Sequence, residues 1–154
     1  MKLDTDCVRS VLMALEAGLV VDERGCVHLA GREPIYDEDF GDYIPDTVSW
    51  SDIARLPELE GYDLGVIVYT MQKLDEAGYI VMHDASEKTY HHCYCFTDTD
   101  GLTYEGHKFL STVRDAGIWA KAKKRIAKIG GDVSLPILSS VASELIKAVL
   151  LGAD

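Results

Sequence analysis

The densest group of candidate metal ligands is the segment HHCYC at residues 91–95. In an extended strand His91, Cys93 and Cys95 project to one face, where imidazole and thiolate groups could meet a metal ion. Alternate side chains on a straight strand lie roughly 6.5 to 7 Å apart, however, and this spacing differs from the Cys-x-x-Cys turn that wraps zinc. We therefore predict two thiols in a strand beside two surface histidines, with no metal site and no cofactor.

Nucleophilic catalysis is a second chemistry to consider, because a Cys93 thiolate could be activated by His28 or His107 if the fold brought them together. No local motif supports that arrangement. The sequence also lacks a glycine-rich phosphate loop, a serine elbow and the HExxH pattern of zinc peptidases. We expect no catalytic residues and a protein that is not an enzyme.

The segment Arg32–Asp52 contains two prolines, four aromatic residues and many carboxylates, and it is predicted to be a long irregular loop. An EF-hand calcium loop needs a glycine at its sixth position and a distant bidentate glutamate, and this frame offers neither. We interpret the carboxylates of Asp37, Glu38, Asp39 and Asp42 as a solvated acidic surface. Three aromatic side chains are expected to pin this loop to the protein: Phe40, Tyr43 and Trp50.

The formal charge of −11 disfavours nucleic acid as a partner, because phosphate binding normally requires a basic surface. The charge is unevenly distributed. Residues 1–60 hold five Lys and Arg against fourteen Asp and Glu, whereas residues 118–154 hold six against three. DNA binding is thus disfavoured for the chain as a whole, although a local basic cluster can act within a Debye length of roughly 10 Å.

The N-terminal sequence MKLDTDCVRSV has neither the continuous apolar segment nor the small-residue cleavage site of a signal peptide. No apolar stretch reaches the roughly 18 to 20 residues that cross a bilayer. Four cysteines in such a chain are typical of a reducing compartment. We expect a cytoplasmic protein without disulfides and without membrane association.

The elements that must position these residues follow from apolar periodicity and from capping residues. The pattern predicts a helix, a short helix, a third helix, two strands and a capped helix in that order: 4–17, Ser51–Leu56, 63–78, Tyr79–His83, His92–Phe96 and Thr103–Gly117. Gly18 is expected to stop the first helix in a left-handed conformation, and a turn is expected at Asp98–Gly101. This order predicts an α+β, mostly α fold: a winged helix-turn-helix with a two- or three-stranded wing sheet and appended C-terminal helices.

The third predicted helix has an exposed face that a winged helix would present to DNA. Its only cation is Lys73, and it lacks the Arg, Asn or Gln cluster that reads base edges. Tyrosine, valine and threonine on such a face are more typical of a protein contact. The predicted partner-binding residues are Tyr62, Val66, Tyr69, Thr70 and Lys73.

Two helices follow in the C-terminal segment 118–154, which we separate from a domain at 1–117 carrying an acidic insertion at about 19–50. The first, at 118–129, is basic on one side and anchored by Trp119 on the other. An alternative function is therefore a DNA-binding transcriptional regulator that uses this helix and the wing, with phosphate contacts from Lys88, Lys121, Lys124, Arg125 and Lys128.

The final helix starts at Ser134 and is apolar around most of its circumference, which requires packing partners on more than one side. A second copy of the chain is one source of such a partner. We expect a homodimer formed through Leu138, Val141, Leu145, Ile146 and Val149. Packing of this helix wholly within its own subunit is the alternative.

Three stretches resemble domain-of-unknown-function family 2513, which comprises small proteins of bacteria and their prophages: MKLDTDCVRSVLMALE, YTMQKLDEAGYI, and LTYEGHKFLSTVRDAGIWAKAK with the following GGDVSLPIL. Between Leu19 and Trp50 this chain is longer and more acidic than the family pattern. The resemblance implies a winged-helix-like fold and no established activity. It further implies a phage-related or host accessory protein that acts by interaction or regulation.

Overall fold

The computed structural model of the chain describes residues 2–33, 35–43, 48–84, 97–128 and 134–152. Within these ranges the helices are α1 Thr5–Gly18, α2 Trp50–Ile53, α3 Leu64–Glu76, α4 Tyr104–Val113, α5 Ala116–Ala127 and α6 Leu135–Leu150, with a 3-10 turn at Pro57–Leu59. The strands form three antiparallel pairs: β1 Leu19–Val21 with β2 Val27–Leu29, β3 Tyr36–Asp37 with β4 Asp42–Tyr43, and β5 Ile80–Asp84 with β6 Thr97–Leu102. The fold is α+β and mostly helical, as the sequence predicted.

Helix α1 lies at the centre of the core. Asp4 caps it, since its carboxylate accepts hydrogen bonds from the backbone N–H groups of Asp6 and Cys7. Gly18 does not adopt a left-handed conformation, so that prediction is wrong. A Cβ at Gly18 would lie 2.6 Å from Leu56 Cδ1, and the glycine therefore makes room for this leucine. The buried side of α1 carries Cys7, Val8, Val11, Leu12, Ala14 and Leu15.

Helix α3 packs on α1 and begins at Asp63, whose carboxylate accepts a hydrogen bond from the Gly65 N–H at 2.8 Å. Gly78 ends the helical segment with φ +74°, as predicted. Leu64 is the first residue of this helix and is 52 % exposed. The core side of α3 carries Ile67, Thr70, Met71 and Leu74.

Strands β5 and β6 pair in a register that shifts between Val81 and Met82, which marks a β-bulge. Gly101, opposite Val81, has φ +91° and belongs to this irregularity. The turn predicted at Asp98–Gly101 is therefore wrong, since these residues lie inside β6. Val48 and Ser49 lie beside β6 on its other edge. Val48 O accepts a hydrogen bond from the Thr99 N–H, and Ser49 forms an antiparallel β-bridge with Asp98.

Two of the stretches that carry the family resemblance meet at the start of α4. Thr103 Oγ1 accepts a hydrogen bond from the Gly106 N–H and donates one to Gly78 O at 2.7 Å, and Thr103 N–H donates to Tyr79 O. Thr103 is thus the N-cap of α4, as predicted. The rings of Tyr79 and Phe109 stack with centroids 5.0 Å apart. The segments EAGYI and LTYEGHKFL therefore form the two halves of one packing contact.

The region 19–50 is more ordered than predicted. It contains the short hairpins β1–β2 and β3–β4, and the second of these lies within the segment predicted to be an irregular loop. Phe40 does not pin this region to the core, because it is 87 % exposed at the β3–β4 turn. Trp50 does pack against the core, whereas the Tyr43 side chain lies outside what the structure describes.

Helices α5 and α6 pack against each other, and α6 also packs on α4. Asp115 starts α5 by accepting a hydrogen bond from the Ile118 N–H at 2.8 Å. Trp119 is 4 % exposed, and its predicted role as a structural anchor is confirmed. Three residues of α6 belong to the same buried cluster as α1: Leu135, Leu138 and Ala142.

A polar contact joins α5 to α1. Trp119 Nε1 donates to Asp6 Oδ1 at 2.7 Å, and Lys123 Nζ lies 2.7 Å from the same oxygen. Burial raises the pKa of the Asp6 carboxyl, but hydrogen bonds from Lys123 and Trp119 outweigh burial and hold this pKa below its usual 3.8. The interaction therefore stabilises the folded state above pH 3.8 and is lost as the pH falls through the lowered pKa.

We expect an Asp6→Asn variant to unfold at a lower temperature than the original protein at pH 7. The difference should shrink as the pH falls from 3.8 through the lowered pKa, because Asp6 is protonated first in the unfolded protein and only below the lowered pKa in the folded one. Thermal unfolding followed by circular dichroism between pH 7 and pH 3 measures this convergence. A temperature difference that stays constant over the whole range would contradict the assignment.

Candidate interaction surfaces

One of the predicted partner-binding residues on and beside α3 is not available on the surface. Thr70 is fully buried, so its predicted exposure is wrong; it lies one helical turn from Ile67 on the same side. Tyr62 and Val66 are partly buried against the core cluster, and the Tyr62 hydroxyl lies 3.3 Å from Ser10 Oγ. Val66, Tyr69 and Lys73 are partly exposed, and their spacing of three and four residues places them on one side of α3.

Lys73 is held by its own helix. Its Nζ lies 2.6 Å from Glu76 Oε2 and 5.5 Å from the centroid of the Tyr69 ring. Leu64 is also exposed, but it lies nine residues before Lys73 and therefore on the other side of the helix. We name Val66, Tyr69 and Lys73 the α3 surface.

The charges near the α3 surface are mostly negative. Between residues 58 and 76, Lys73 is the only cation, and its charge is offset by the adjacent Glu76 carboxylate. The carboxylates in this stretch belong to Glu58, Glu60, Asp63, Asp75 and Glu76. Such a surface repels phosphate and attracts basic groups.

The β5–β6 pair adds a further charged contact beside this helix. His83 Nε2 lies 2.5 Å from Asp100 Oδ2, and both side chains are more than half exposed. The hydrogen bond to Asp100 and its negative charge raise the pKa of His83 above 6.5. The imidazolium is thereby favoured, but solvent screening keeps its effect on stability small.

We expect the His83 imidazole to titrate above pH 6.5 and an Asp100→Asn variant to move its midpoint down towards that value. The raised pKa means that the stabilising contact is complete below pH 6.5 and is lost as the pH rises through the folded-state pKa. Nuclear magnetic resonance of the histidine ring protons measures both midpoints. Identical midpoints in the two proteins would show that Asp100 does not act on His83.

The basic residues predicted for DNA binding divide into two groups on α5. Arg125 lies 3.8 Å from Glu144 of α6, so part of its charge is offset. Lys121, Lys124 and Lys128 are exposed and have no ion-pair partner in the part of the chain that the structure describes. Their spacing of three and four residues places them along one side of α5. Lys88 lies outside the described residues.

The residues predicted to form a dimer differ in their exposure. Leu138 is 1 % exposed within its own subunit, so its assignment to a dimer contact is wrong; α6 uses this side to cover the core. Val141, Leu145 and Ile146 are partly buried, and Val149 is 51 % exposed. The missed residues Leu150 and Leu151 are 79 % and 83 % exposed at the end of the helix.

A cleft of about 340 Å³ opens between the beginning of α5 and the end of α6. Apolar side chains of Ile118, Ile146, Val149 and Leu150 line it. Asp115 and Lys121 border the cleft with opposite charges. It is thus an apolar depression with one acidic and one basic residue at its edge.

The HHCYC segment at 91–95 lies outside the described residues, and the expectations about Cys93 and Cys95 stay predictions. Among the residues that are described, no three His, Cys, Asp or Glu side chains are grouped so that they could hold a metal ion. His28 lies 3.0 Å from Asp22, and His107 lies on the surface near Glu16. No helix in the described ranges has the length and apolarity needed to cross a bilayer.

The fold and these surfaces define a small α+β, mostly helical protein with an acidic surface at α3, a basic row on α5 and an apolar cleft between α5 and α6. A family model described as "Hypothetical protein (DUF2513)" matches residues 2–132. The chain belongs to this family, which confirms the resemblance in the sequence. Neither the comparison with curated proteins nor that with solved structures found a match.

Proposed function

We propose that this chain is a winged-helix-like, non-enzymatic protein that contacts a protein partner through the α3 surface and acts in phage or host regulation. The element order supports the winged-helix assignment: α1, the residue Ser49 that forms a β-bridge with Asp98, α2, α3, and the β5–β6 hairpin. In such a fold α3 takes the position of the recognition helix, and β5–β6 forms the wing. Free Cys7 and Cys26 are consistent with a cytoplasmic location.

One observation carries the choice of protein over DNA. The only cation of the α3 surface is paired with Glu76, and four further carboxylates lie between residues 58 and 75. A DNA-reading helix instead needs cations free to reach phosphates and side chains that bind base edges. Tyr69, with the partly exposed Val66 beside it, is the kind of side chain that anchors protein contacts.

A photoreactive amino acid placed at Tyr69 tests the proposal directly. In cells, we expect a covalent adduct with a protein, and we expect the same label at the exposed Tyr104 on α4 not to give that adduct. Adducts only with DNA, or the same protein adducts from both positions, would overturn the proposal.

We also propose that the protein forms a homodimer through the C-terminal segment 118–154. The cleft between α5 and α6 supports this, together with the exposed Leu150 and Leu151 beside it. A twofold axis at this end would place the apolar side chains of each copy against the other cleft. It would also bring Asp115 of one copy towards Lys121 of its partner, so the charges at the edge are self-complementary.

Light scattering at micromolar concentration should give the mass of a dimer, about 34 kDa from a chain of 17.0 kDa. We expect a Leu150→Asp/Leu151→Asp variant to be monomeric, because it would bury charges in an apolar contact. Ile137→Asp is the matched control, since Ile137 is 50 % exposed near the other end of α6. If the unsubstituted protein has the mass of a monomer, the dimer is disproved and the proposal for the α3 surface is unaffected.

A DNA-binding regulator is the second candidate, and the exposed row of Lys121, Lys124 and Lys128 favours it. These three exposed cations have no ion-pair partner among the described residues, and cations on one helix can bind phosphates without reading sequence. An electrophoretic shift with random duplex DNA at low salt tests this function. Binding that is lost when all three lysines become glutamate would support it, and no shift at tens of micromolar protein would remove it.

A further inference from the structure

The β3–β4 hairpin is built to hold an aromatic side chain in solvent. Asp37 Oδ1 accepts hydrogen bonds from the backbone N–H groups of Asp39 and Phe40 at 2.9 and 3.3 Å. Gly41 donates its N–H to Asp37 O and takes φ +65°, a conformation that favours glycine. The turn is thus fixed by local hydrogen bonds, with Phe40 at its tip and 87 % exposed.

Two further apolar side chains of this hairpin segment are exposed. Tyr36 is 51 % exposed, and its hydroxyl lies 3.9 Å from the position that a Cβ on Gly41 would occupy, so its ring reaches the turn. Ile35 precedes it and is 66 % exposed. Single exposed apolar residues are ordinary, but three within one nine-residue hairpin form a surface that gains free energy when a partner covers it. We name residues 35–43 the acidic hairpin.

The charge around these side chains is strongly negative. Residues 19–50 contain eight Asp and Glu against two Arg, and the Asp42 side chain is 76 % exposed. Both arginines contact carboxylates of this chain: Arg24 lies 3.3 Å from Asp22 and 3.4 Å from Asp42, and Arg32 lies 2.9 Å from Asp52. The cations of the region are therefore engaged in holding the hairpins to each other and to α2.

We propose that the acidic hairpin binds a basic protein segment that carries apolar side chains between its Lys and Arg residues. The apolar part of such a segment covers Phe40, Ile35 and Tyr36, while its cations meet the surrounding carboxylates. Charge excludes the other occupants: a second copy would bring the same acidic surface against this one, and nucleic acid or an anionic membrane would be repelled. The hairpin lies outside the α3 surface, so this inference does not depend on the function proposed above.

A random dodecapeptide library selected by mRNA display on the full protein tests the inference. We expect the enriched peptides to carry a net positive charge together with aromatic or aliphatic residues. Their affinity, measured with synthetic peptides by fluorescence anisotropy, should fall at least about tenfold for Phe40→Ala, because an exposed aromatic anchor is a typical hot spot. Binding should also weaken as salt is raised.

Two controls make the result decisive. Tyr104→Ala removes an aromatic side chain that is 77 % exposed at another place, and it should leave the affinity unchanged. A Glu38→Gln/Asp39→Asn variant should reduce both the affinity and its salt dependence. No enrichment, enrichment of neutral or acidic peptides, or equal binding by the Phe40→Ala variant would each overturn the proposal. Loss of binding on replacing Tyr69 alone would instead assign the peptides to the α3 surface.

Discussion

A Gly106→Ala variant is expected to lose at least about 3 kcal/mol of its free energy of unfolding, although alanine is ordinarily the better helix former by about 1 kcal/mol. A Cβ at this position would overlap the carbonyl oxygen of Tyr79 and lie 3.0 Å from its carbon. That carbonyl cannot move away easily, because it accepts the hydrogen bond from the Thr103 N–H. Denaturation by urea measures the loss.

Gly65→Ala is the matched control for Gly106, since it too places a methyl group on a helical glycine. The nearest atom to its Cβ is Asp63 Oδ1 at 3.1 Å, the end of a side chain that can shift. We expect its free energy of unfolding to stay within about 1 kcal/mol of the original. If Gly106→Ala behaved in the same way, the close contact between α4 and the Tyr79 backbone would be refuted.

A Trp119→Ala variant is expected to be destabilised by about 3 to 5 kcal/mol, the range for truncation of a buried aromatic residue. Trp119 is 4 % exposed, and its indole N–H donates to Asp6 at 2.7 Å. The substitution removes the packing of α5 and one of the hydrogen bonds that hold the Asp6 carboxylate. For a chain of this size the melting temperature should fall by about 2 to 4 °C for each kcal/mol.

Tyr104→Ala provides the comparison for Trp119, because Tyr104 is 77 % exposed. Its truncation should change the free energy of unfolding by less than about 1 kcal/mol. Calorimetry of both variants distinguishes a buried anchor from an exposed aromatic side chain. A loss below about 1 kcal/mol for Trp119→Ala would mean that α5 is not held to α1 as described.

Local signals in the sequence predicted the helices and failed where distant segments meet. Thr103 was identified as a cap because capping depends on neighbouring residues. Asp98–Gly101 has the composition of a turn, but Gly101 supplies its positive φ to a bulge within a strand, which depends on the pairing with β5. Glycine is needed at position 106 because the backbone carbonyl of Tyr79 lies against it, and no pattern within α4 reveals that contact.

For the candidate surfaces, too, the features that depend on neighbouring residues were predictable and those that depend on tertiary contacts were not. The pairing of Lys73 with Glu76 follows from a spacing of three residues, and the acidic character of the α3 surface follows from composition. Thr70 was placed outside because it is polar, although its helical position between Ile67 and Leu74 indicates burial. The contact between Arg125 and Glu144 joins two different helices, so the division of the basic residues of α5 could be found only from the structure.

The contacts of Thr103 with Gly78 and Tyr79 tie together two points of the chain separated by about 25 residues. Because these contacts close the junction, the stability of the core depends only weakly on the length of the segment between β5 and β6. The entropic cost of closing a loop changes by only about 0.6 kcal/mol for each doubling of its length. The stretch between β5 and β6 is therefore a natural place for insertion. Foreign binding loops grafted there should leave the helical core folded.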